Sequence, residues 1–135
     1  MTSADDNVAL LRALYRAYGA GDIEPVIAAL DEDVRWCSMG STGDLPWLGQ
    51  CHGFDGVVNY FQTLAENITI NRYEPAYFVA DGDRVVAIVT LSITHNATGR
   101  HSTFEKADVF RFRGGKILEF TEFYDTAGVA ALCCP

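Results

Sequence analysis

Two glutamates and a histidine are the residues in this sequence best suited to moving protons. Glu105 and Glu122 lie in two strand-like segments on either side of the turn at Gly114-Gly115, so a hairpin would place them on neighbouring strands. Two nearby carboxyls push each other's pKa values apart, which separates an acid from a base. His52, at the start of a helical segment, could carry protons near neutral pH. The pattern indicates general acid–base chemistry.

Each of these residues also has a structural alternative. Glu105 could pair with an arginine, or with a histidine such as His101 or His52. Glu122 could face water or pair with Arg111. His52 could hydrogen-bond to the backbone of its own loop. In each of these cases the side chain would stabilise the fold and take no part in a reaction.

Composition narrows the class of protein. The 135 residues suffice for one domain with one core, and we expect a single domain over residues 1–135. Acidic residues number 18 against 10 basic ones, a formal charge of −8, which argues against nucleic acid as a partner. No apolar stretch approaches the roughly 18 residues of a membrane span, and the N-terminus has acids where a signal peptide has bases. We therefore expect a cytoplasmic protein without a membrane partner.

Motifs for metals and cofactors are missing from the sequence. The histidines and the four cysteines lack the spacing of a metal site. No glycine-rich phosphate loop follows a strand, and no serine sits in a nucleophile elbow. We expect neither a metal nor a cofactor.

Helices come first in the chain and strands follow. Apolar spacing and capping residues predict helices over 5–18, 22–30 and 54–64. Alternating or β-branched runs separated by glycine-containing turns predict strands over 34–39, 69–80, 84–94, 101–113 and 117–125. Helices followed by a run of hairpins indicate an α+β fold with helices on one face of the sheet.

Four segments carry a resemblance to a known superfamily. They are residues 21–24 (GDIE), 30–36 (LDEDVRW), 52–61 (HGFDGVVNYF) and the last hairpin with DVFRF at 108–112, GKI at 115–117 and YD at 124–125. In this order the chain resembles the nuclear transport factor two-like superfamily, and most of all its ketosteroid isomerase and SnoaL-like polyketide cyclase branches. The resemblance implies a cone-shaped, mostly antiparallel sheet curved around three N-terminal helices, as in a cystatin-like α+β barrel. It also implies a pocket for a small apolar molecule, and a homodimer through the outer face of the sheet.

The resemblance also sets which strand residues face that pocket. On the long strand it turns Thr103, Glu105, Ala107 and Val109 inward, and on the last strand Glu122. Glu105 is then the expected main acid or base, and Glu122 and a histidine, His52 or His101, are expected to assist it. The loop of residues 40–53 is expected to hold a tryptophan over the pocket as a lid. The expected substrate-binding residues are Tyr15, Trp36, Ser38, Trp47, Phe61, Phe120 and Tyr124.

The isomerase mechanism itself is not expected here. Ketosteroid isomerase uses a carboxylate base with an oxyanion hole made of a tyrosine and a protonated acid. By resemblance the base position falls on Ser38, the tyrosine on Leu14 (on Tyr15 if the alignment slips by one residue) and the acid on Glu105. The base is therefore lost. We expect a cofactor-independent isomerase, cyclase or hydrolase acting on a small apolar carbonyl or polyketide-like compound. The alternative is a non-catalytic ligand-binding or dimeric scaffolding protein.

Overall fold

The computed structural model describes residues 3–41 and 43–134. The helices are α1 (Ala4–Gly19), α2 (Glu24–Ala28), α3 (Gly53–Asn67) and α4 (Thr126–Cys133). The strands are β1 (Leu30–Ser38), β2 (Gly49–His52), β3 (Ile68–Asp81), β4 (Arg84–His95), β5 (His101–Arg113) and β6 (Lys116–Phe123). The three N-terminal helices and the run of hairpins were predicted from the sequence, whereas β2 and α4 were not. None of the helices in the described ranges is both long and apolar enough to span a membrane.

Helix α1 begins at a capping box and packs one face against the sheet. The Asp6 amide donates to Ser3 Oγ over 3.1 Å, and the Ser3 amide donates to Asp6 Oδ2 over 3.2 Å. These two bonds satisfy amides that have no acceptor inside the helix. Leu11, Leu14 and Tyr15 are buried at helical spacing. The cap and this apolar stripe together fix which side of α1 faces the core.

One mixed sheet holds all six strands, in the order β2-β1-β6-β5-β4-β3. Only β1 and β6 run parallel, and the other neighbouring strands are antiparallel. The sheet is curved and remains open, with β2 and β3 as its edges. The predicted α+β cone is therefore confirmed, although the sheet does not close into a barrel.

The two faces of the sheet differ in what they carry. The inner face of β4 buries Val85, Val89 and Ile93 against the helices. The outer face carries exposed Tyr77 on β3 and exposed Phe123 on β6. A homodimer through this outer face stays a prediction.

The face of strand β5 that lines the cavity is the opposite of the one predicted. Lys106, Asp108, Phe110 and Phe112 are buried on its inner side, whereas Glu105 is exposed on the outer side. Alternate residues of a strand point to opposite faces, so an alignment wrong by one residue reverses every side chain of that strand. The predicted inward set of Thr103, Glu105, Ala107 and Val109 was wrong for this reason.

Because one face of β5 is buried and the other is half-buried, truncating a side chain on each face should lower the free energy of unfolding by unequal amounts. Phe112→Ala empties a site in the core, where Phe112 is 4% exposed, and should lower the free energy of unfolding by about 3–5 kcal/mol. Val109→Ala on the half-buried outer face should cost about 1 kcal/mol or less. Urea unfolding of both variants measures the difference, and equal losses would contradict the assigned strand phase.

Candidate functional site

A cavity of about 80 Å³ lies between the inner face of the sheet and helices α1 and α3. Apolar and aromatic side chains form most of its wall, which suits a small apolar molecule. Six of the predicted substrate-binding residues line it: Tyr15, Trp36, Trp47, Phe61, Phe120 and Tyr124. Trp47, from the loop before β2, is 6% exposed and donates its indole N–H to Tyr124 Oη over 2.7 Å. The loop therefore places a tryptophan in the cavity wall, and its action as a lid stays a prediction.

Three charged side chains from β5 and β6 interrupt this apolar wall. Asp108 lies directly opposite Glu122 in the antiparallel register, and Lys106 is two residues before Asp108 on the same face. Lys106 Nζ is 2.9 Å from Glu122 Oε2 and 3.3 Å from Asp108 Oδ1. All three side chains are at least 93% buried. Charges are rarely buried this deeply unless they are paired, and here one cation serves two carboxylates.

Glu122 is held by three hydrogen-bond donors. Ser38 donates to its Oε1 over 2.6 Å, and Tyr60 donates to the same oxygen over 2.8 Å. Lys106 donates to Oε2 over 2.9 Å. Donors on both oxygens fix the orientation of the carboxylate.

Asp108 is less well satisfied than Glu122. Tyr15 donates to its Oδ2 over 2.5 Å, while Oδ1 accepts no hydrogen bond within the described part of the chain. Burial raises the pKa of Asp108 to about 6, against the opposing effect of Lys106 and with the help of the Glu122 charge. The two carboxyls of the cavity are therefore in unequal environments, and Asp108 titrates close to neutral pH.

Lys106 remains charged despite its burial. Burial lowers the pKa of its ammonium group, but Asp108 and Glu122 outweigh that effect, and the pKa stays well above its usual value. The ammonium also lies 4.9 Å from the centre of the Tyr73 ring, a distance typical of a cation–π contact. Lys106 is the one cation among the residues that line the cavity.

The structure corrects two of the three expected catalytic residues. Glu105 is exposed on the outer face of β5, opposite Thr90, and does not line the cavity. His52 is exposed too, because it pairs with Arg35 across β1 and β2 on the outer face. Glu122 lines the cavity as expected. Neither its pairing with Glu105 nor its alternative partner Arg111 is found, because Lys106 and Asp108 occupy the positions beside it.

Ser38 differs from its expected role in substrate binding. It is fully buried and donates to Glu122, but it is not among the residues that line the cavity. The serine therefore supports the orientation of Glu122.

Sequence reasoning missed Lys106 and Asp108, although the sequence carries a signal for them. Phe104, Phe110 and Phe112 share even numbering on β5, and three aromatics on one face of a strand indicate the buried face. Lys106 and Asp108 have the same parity and would then have been interpreted as buried charges. Across the described ranges, no group of three His, Cys, Asp or Glu side chains is arranged to hold a metal ion.

The raised pKa predicts how stability depends on pH. The pKa of Asp108 is near 6 in the folded protein and near 3.8 in the unfolded chain. The free energy of unfolding of the wild-type protein therefore falls as the pH rises between these values. Asp108→Asn removes this loss and keeps an oxygen for Tyr15. Its free energy of unfolding relative to wild type should therefore rise by about 2 kcal/mol between pH 4 and pH 7.

Urea unfolding at several pH values measures this change. The matched control is Glu105→Gln, which removes an exposed carboxyl from the same strand and should leave the pH dependence unchanged. Parallel pH curves for Asp108→Asn and Glu105→Gln would contradict the assignment.

Comparison with known proteins agrees with this architecture. The SnoaL-like domain profile matches residues 11–120. An NTF2-like protein of unknown function from Burkholderia pseudomallei superposes with a TM-score of 0.90, at 29% identity over 100% of both chains. An NTF2-like protein from Burkholderia thailandensis gives a TM-score of 0.86, at 26% identity over 100% of both chains.

A third similar structure extends the same comparison. An NTF2-like protein from Burkholderia xenovorans gives a TM-score of 0.86 at 25% identity, covering 99% of this chain and 100% of the other. No curated protein matches the chain. The profile covers most of the sequence and the fold agrees with it, so the chain belongs to the SnoaL-like domain family, within the NTF2-like superfamily.

Proposed function

We propose that this protein is a cofactor-independent enzyme that transfers a proton at a carbon next to the carbonyl group of a small, mostly apolar compound. The observation that carries the proposal is the unequal pair of carboxyls in one apolar cavity. Glu122 is held by three donors, whereas Asp108 keeps one oxygen without a hydrogen bond and titrates near pH 6. An acid–base catalyst works best when its pKa lies close to the working pH.

Each charged side chain has a part in the proposed reaction. Lys106 donates an N–H to the substrate carbonyl oxygen, and Asp108 Oδ1 takes a proton from the adjacent carbon. The electron pair of the broken C–H bond moves onto the carbonyl oxygen as an enolate, which the Lys106 charge stabilises. Asp108 then returns the proton to the same or to another carbon. Glu122 touches no reacting atom in this scheme and positions Lys106.

Enolate formation is the first step shared by several reactions open to this fold. Returning the proton to a different carbon gives an isomerisation. Attack of the enolate on a second carbonyl of the same molecule gives a cyclisation. An assay of proton exchange at the carbon next to a carbonyl therefore tests the proposal before the natural substrate is known. The base-plus-tyrosine mechanism of steroid isomerisation is not proposed, because Ser38 at the base position donates to Glu122.

Ligand binding without chemistry is the second candidate. The observation that favours it is the internal pairing of the cluster, since Lys106 lies within ion-pair distance of both carboxylates and Tyr15 donates to Asp108. A buried cluster whose charges are matched inside the protein can serve the fold alone. The pKa of Asp108 sets the two candidates apart: burial, helped by the Glu122 charge, raises it to about 6, and a carboxyl that titrates near neutral pH in the cavity favours the enzyme.

Deuterium exchange into simple ketones tests the proposed function. Acetophenone and cyclohexanone in D₂O should lose the ¹H NMR signals of the protons next to the carbonyl faster with protein than with buffer alone. The protein-dependent rate should rise with pH through about 6 as Asp108 ionises. Asp108→Asn should lower this rate by about 10²–10⁴-fold, the range for a positioned acid–base group.

Two further variants separate a catalytic loss from misfolding. Glu105→Gln should exchange at the wild-type rate, because Glu105 lies on the outer face of the sheet. Lys106→Met should also slow exchange, and thermal unfolding reports whether it still folds. Ketone binding detected by tryptophan fluorescence, with no exchange above the buffer rate, would overturn the enzyme proposal and support the binding candidate.

A further inference from the structure

A second concave surface lies outside the cavity, between helix α1 and the edge strand β3. It is an open groove of about 550 Å³, and three arginines line it: Arg12 and Arg16 from α1 and Arg72 from β3. Glu74 is the one carboxylate among the lining residues. The groove is thus locally basic on a protein whose formal charge is −8.

Among the residues that the structure describes, no acidic side chain neutralises Arg12 or Arg16. In the described ranges neither guanidinium lies within ion-pair distance of a carboxylate or donates a hydrogen bond to another residue. Every other arginine and lysine in those ranges except Arg84 donates to a carboxylate or to a backbone carbonyl. The chain has 18 acids against 10 bases, so unpaired arginines are unexpected, and two of the three border one groove.

The helix places these two arginines side by side. They are four residues apart, so they lie on neighbouring turns of the same face, where like charges destabilise a helix. The Arg12 guanidinium lies 4.7 Å from the centre of the Phe78 ring, which orients it while its N–H edges remain available. Arg72 pairs with Glu74 over 3.0 Å, but both side chains are more than half exposed, and such pairs contribute little. An anion in the groove would relieve the repulsion and could compete with Glu74.

The groove and the cavity share two wall residues. Tyr15 and Tyr73 line both, and their rings stack with centroids 5.8 Å apart. Tyr15 also donates to Asp108, so the shared wall is one hydrogen bond from the titrating carboxyl. These two rings are therefore a wall that the groove and the cavity have in common.

We propose that the groove binds the anionic group of the ligand, a carboxylate or a phosphate ester, through Arg12, Arg16 and Arg72. The apolar body of the same molecule then extends past Tyr73 into the cavity. Planar guanidinium groups match the oxygens of either anion in two-pronged hydrogen bonds. The proposal deepens the proposed function by naming the ligand class, and it rests on that function only for the part of the ligand inside the cavity.

Three six-carbon probes that differ only in their polar end test this site. Hexanol is neutral, hexanoate carries a carboxylate, and hexyl phosphate carries a phosphate ester. Isothermal titration should show at least tenfold tighter binding for one or both anions than for hexanol. The anion that binds more tightly shows whether the natural ligand carries a carboxylate or a phosphate ester. The difference in affinity between the anions and hexanol should shrink in 0.5 M NaCl, because salt screens interactions between exposed charges.

Variants then locate the effect in the groove. Arg12→Gln combined with Arg16→Gln should raise the Kd of the anionic probe at least tenfold and leave the Kd of hexanol unchanged. Glutamine is nearly as good a helix former as arginine, so α1 should remain folded, and thermal unfolding checks this. The matched control is Arg84→Gln, which removes an unpaired arginine outside the groove and should change neither affinity. Equal binding of all three probes, or equal losses in the two variants, would overturn the proposal.

Asp108→Asn separates this proposal from the proposed function. That variant should lose ketone exchange and still bind the anionic probe, because the groove does not use Asp108. Ketone exchange without anion binding would overturn the groove proposal alone. Anion binding without ketone exchange would support the groove and overturn the proposed enzyme.

Discussion

The burial of Lys106 between Asp108 and Glu122 is the interaction around which this structure is organised. Removing three charged groups from water costs several kcal/mol per ion unless partners replace the lost solvation. Here five elements supply the charges and their partners. Tyr15 comes from α1, Ser38 from β1 and Tyr60 from α3, while β5 and β6 carry the charges. The cluster thus fixes how the helices sit on the sheet, because a shift of any one element would take a hydrogen bond or an ion pair from a buried charge.

The cluster is less stable than a simple ion pair would be. One lysine and one glutamate would be neutral together, and Asp108 adds a second negative charge. Burial, helped by the Glu122 charge, raises the pKa of Asp108 to about 6 despite the opposing effect of Lys106. A structural role gives no reason to keep that excess, because a neutral side chain would pack in the same place. Proteins keep destabilising groups of this kind where function requires them. The imbalance of the cluster, and not its mere presence in a cavity, is therefore what favours catalysis.

The sequence predicted the fold better than the site, for a physical reason. Turn residues and helical spacing are local signals, so the three helices and most strand boundaries could be predicted, and β5 was predicted at residues 101–113 as found. Which face of β5 meets the cavity is a matter of parity, and the aromatics Phe104, Phe110 and Phe112 indicate it. Matching Glu105 to a family position overrode that signal and reversed the strand. Glu122 was placed correctly, but its partner Lys106 could not be inferred once β5 had been reversed.

The basic groove and the buried cluster of Lys106, Asp108 and Glu122 can be understood as one electrostatic arrangement. A protein of charge −8 repels anions at long range, so an anionic ligand needs local positive charge at the point where it enters. Inside the cavity Lys106 already pairs with two carboxylates, so the cluster keeps a net negative charge. That charge disfavours binding of the ligand's anionic group in the cavity. A ligand that carries an anion on an apolar body would therefore be oriented before it reacts. Its charged end would stay with Arg12 and Arg16 while its carbonyl end would approach Lys106 and Asp108. Tyr15 and Tyr73 stand between these two regions, so the same rings that complete the cavity wall also separate the unlike charges.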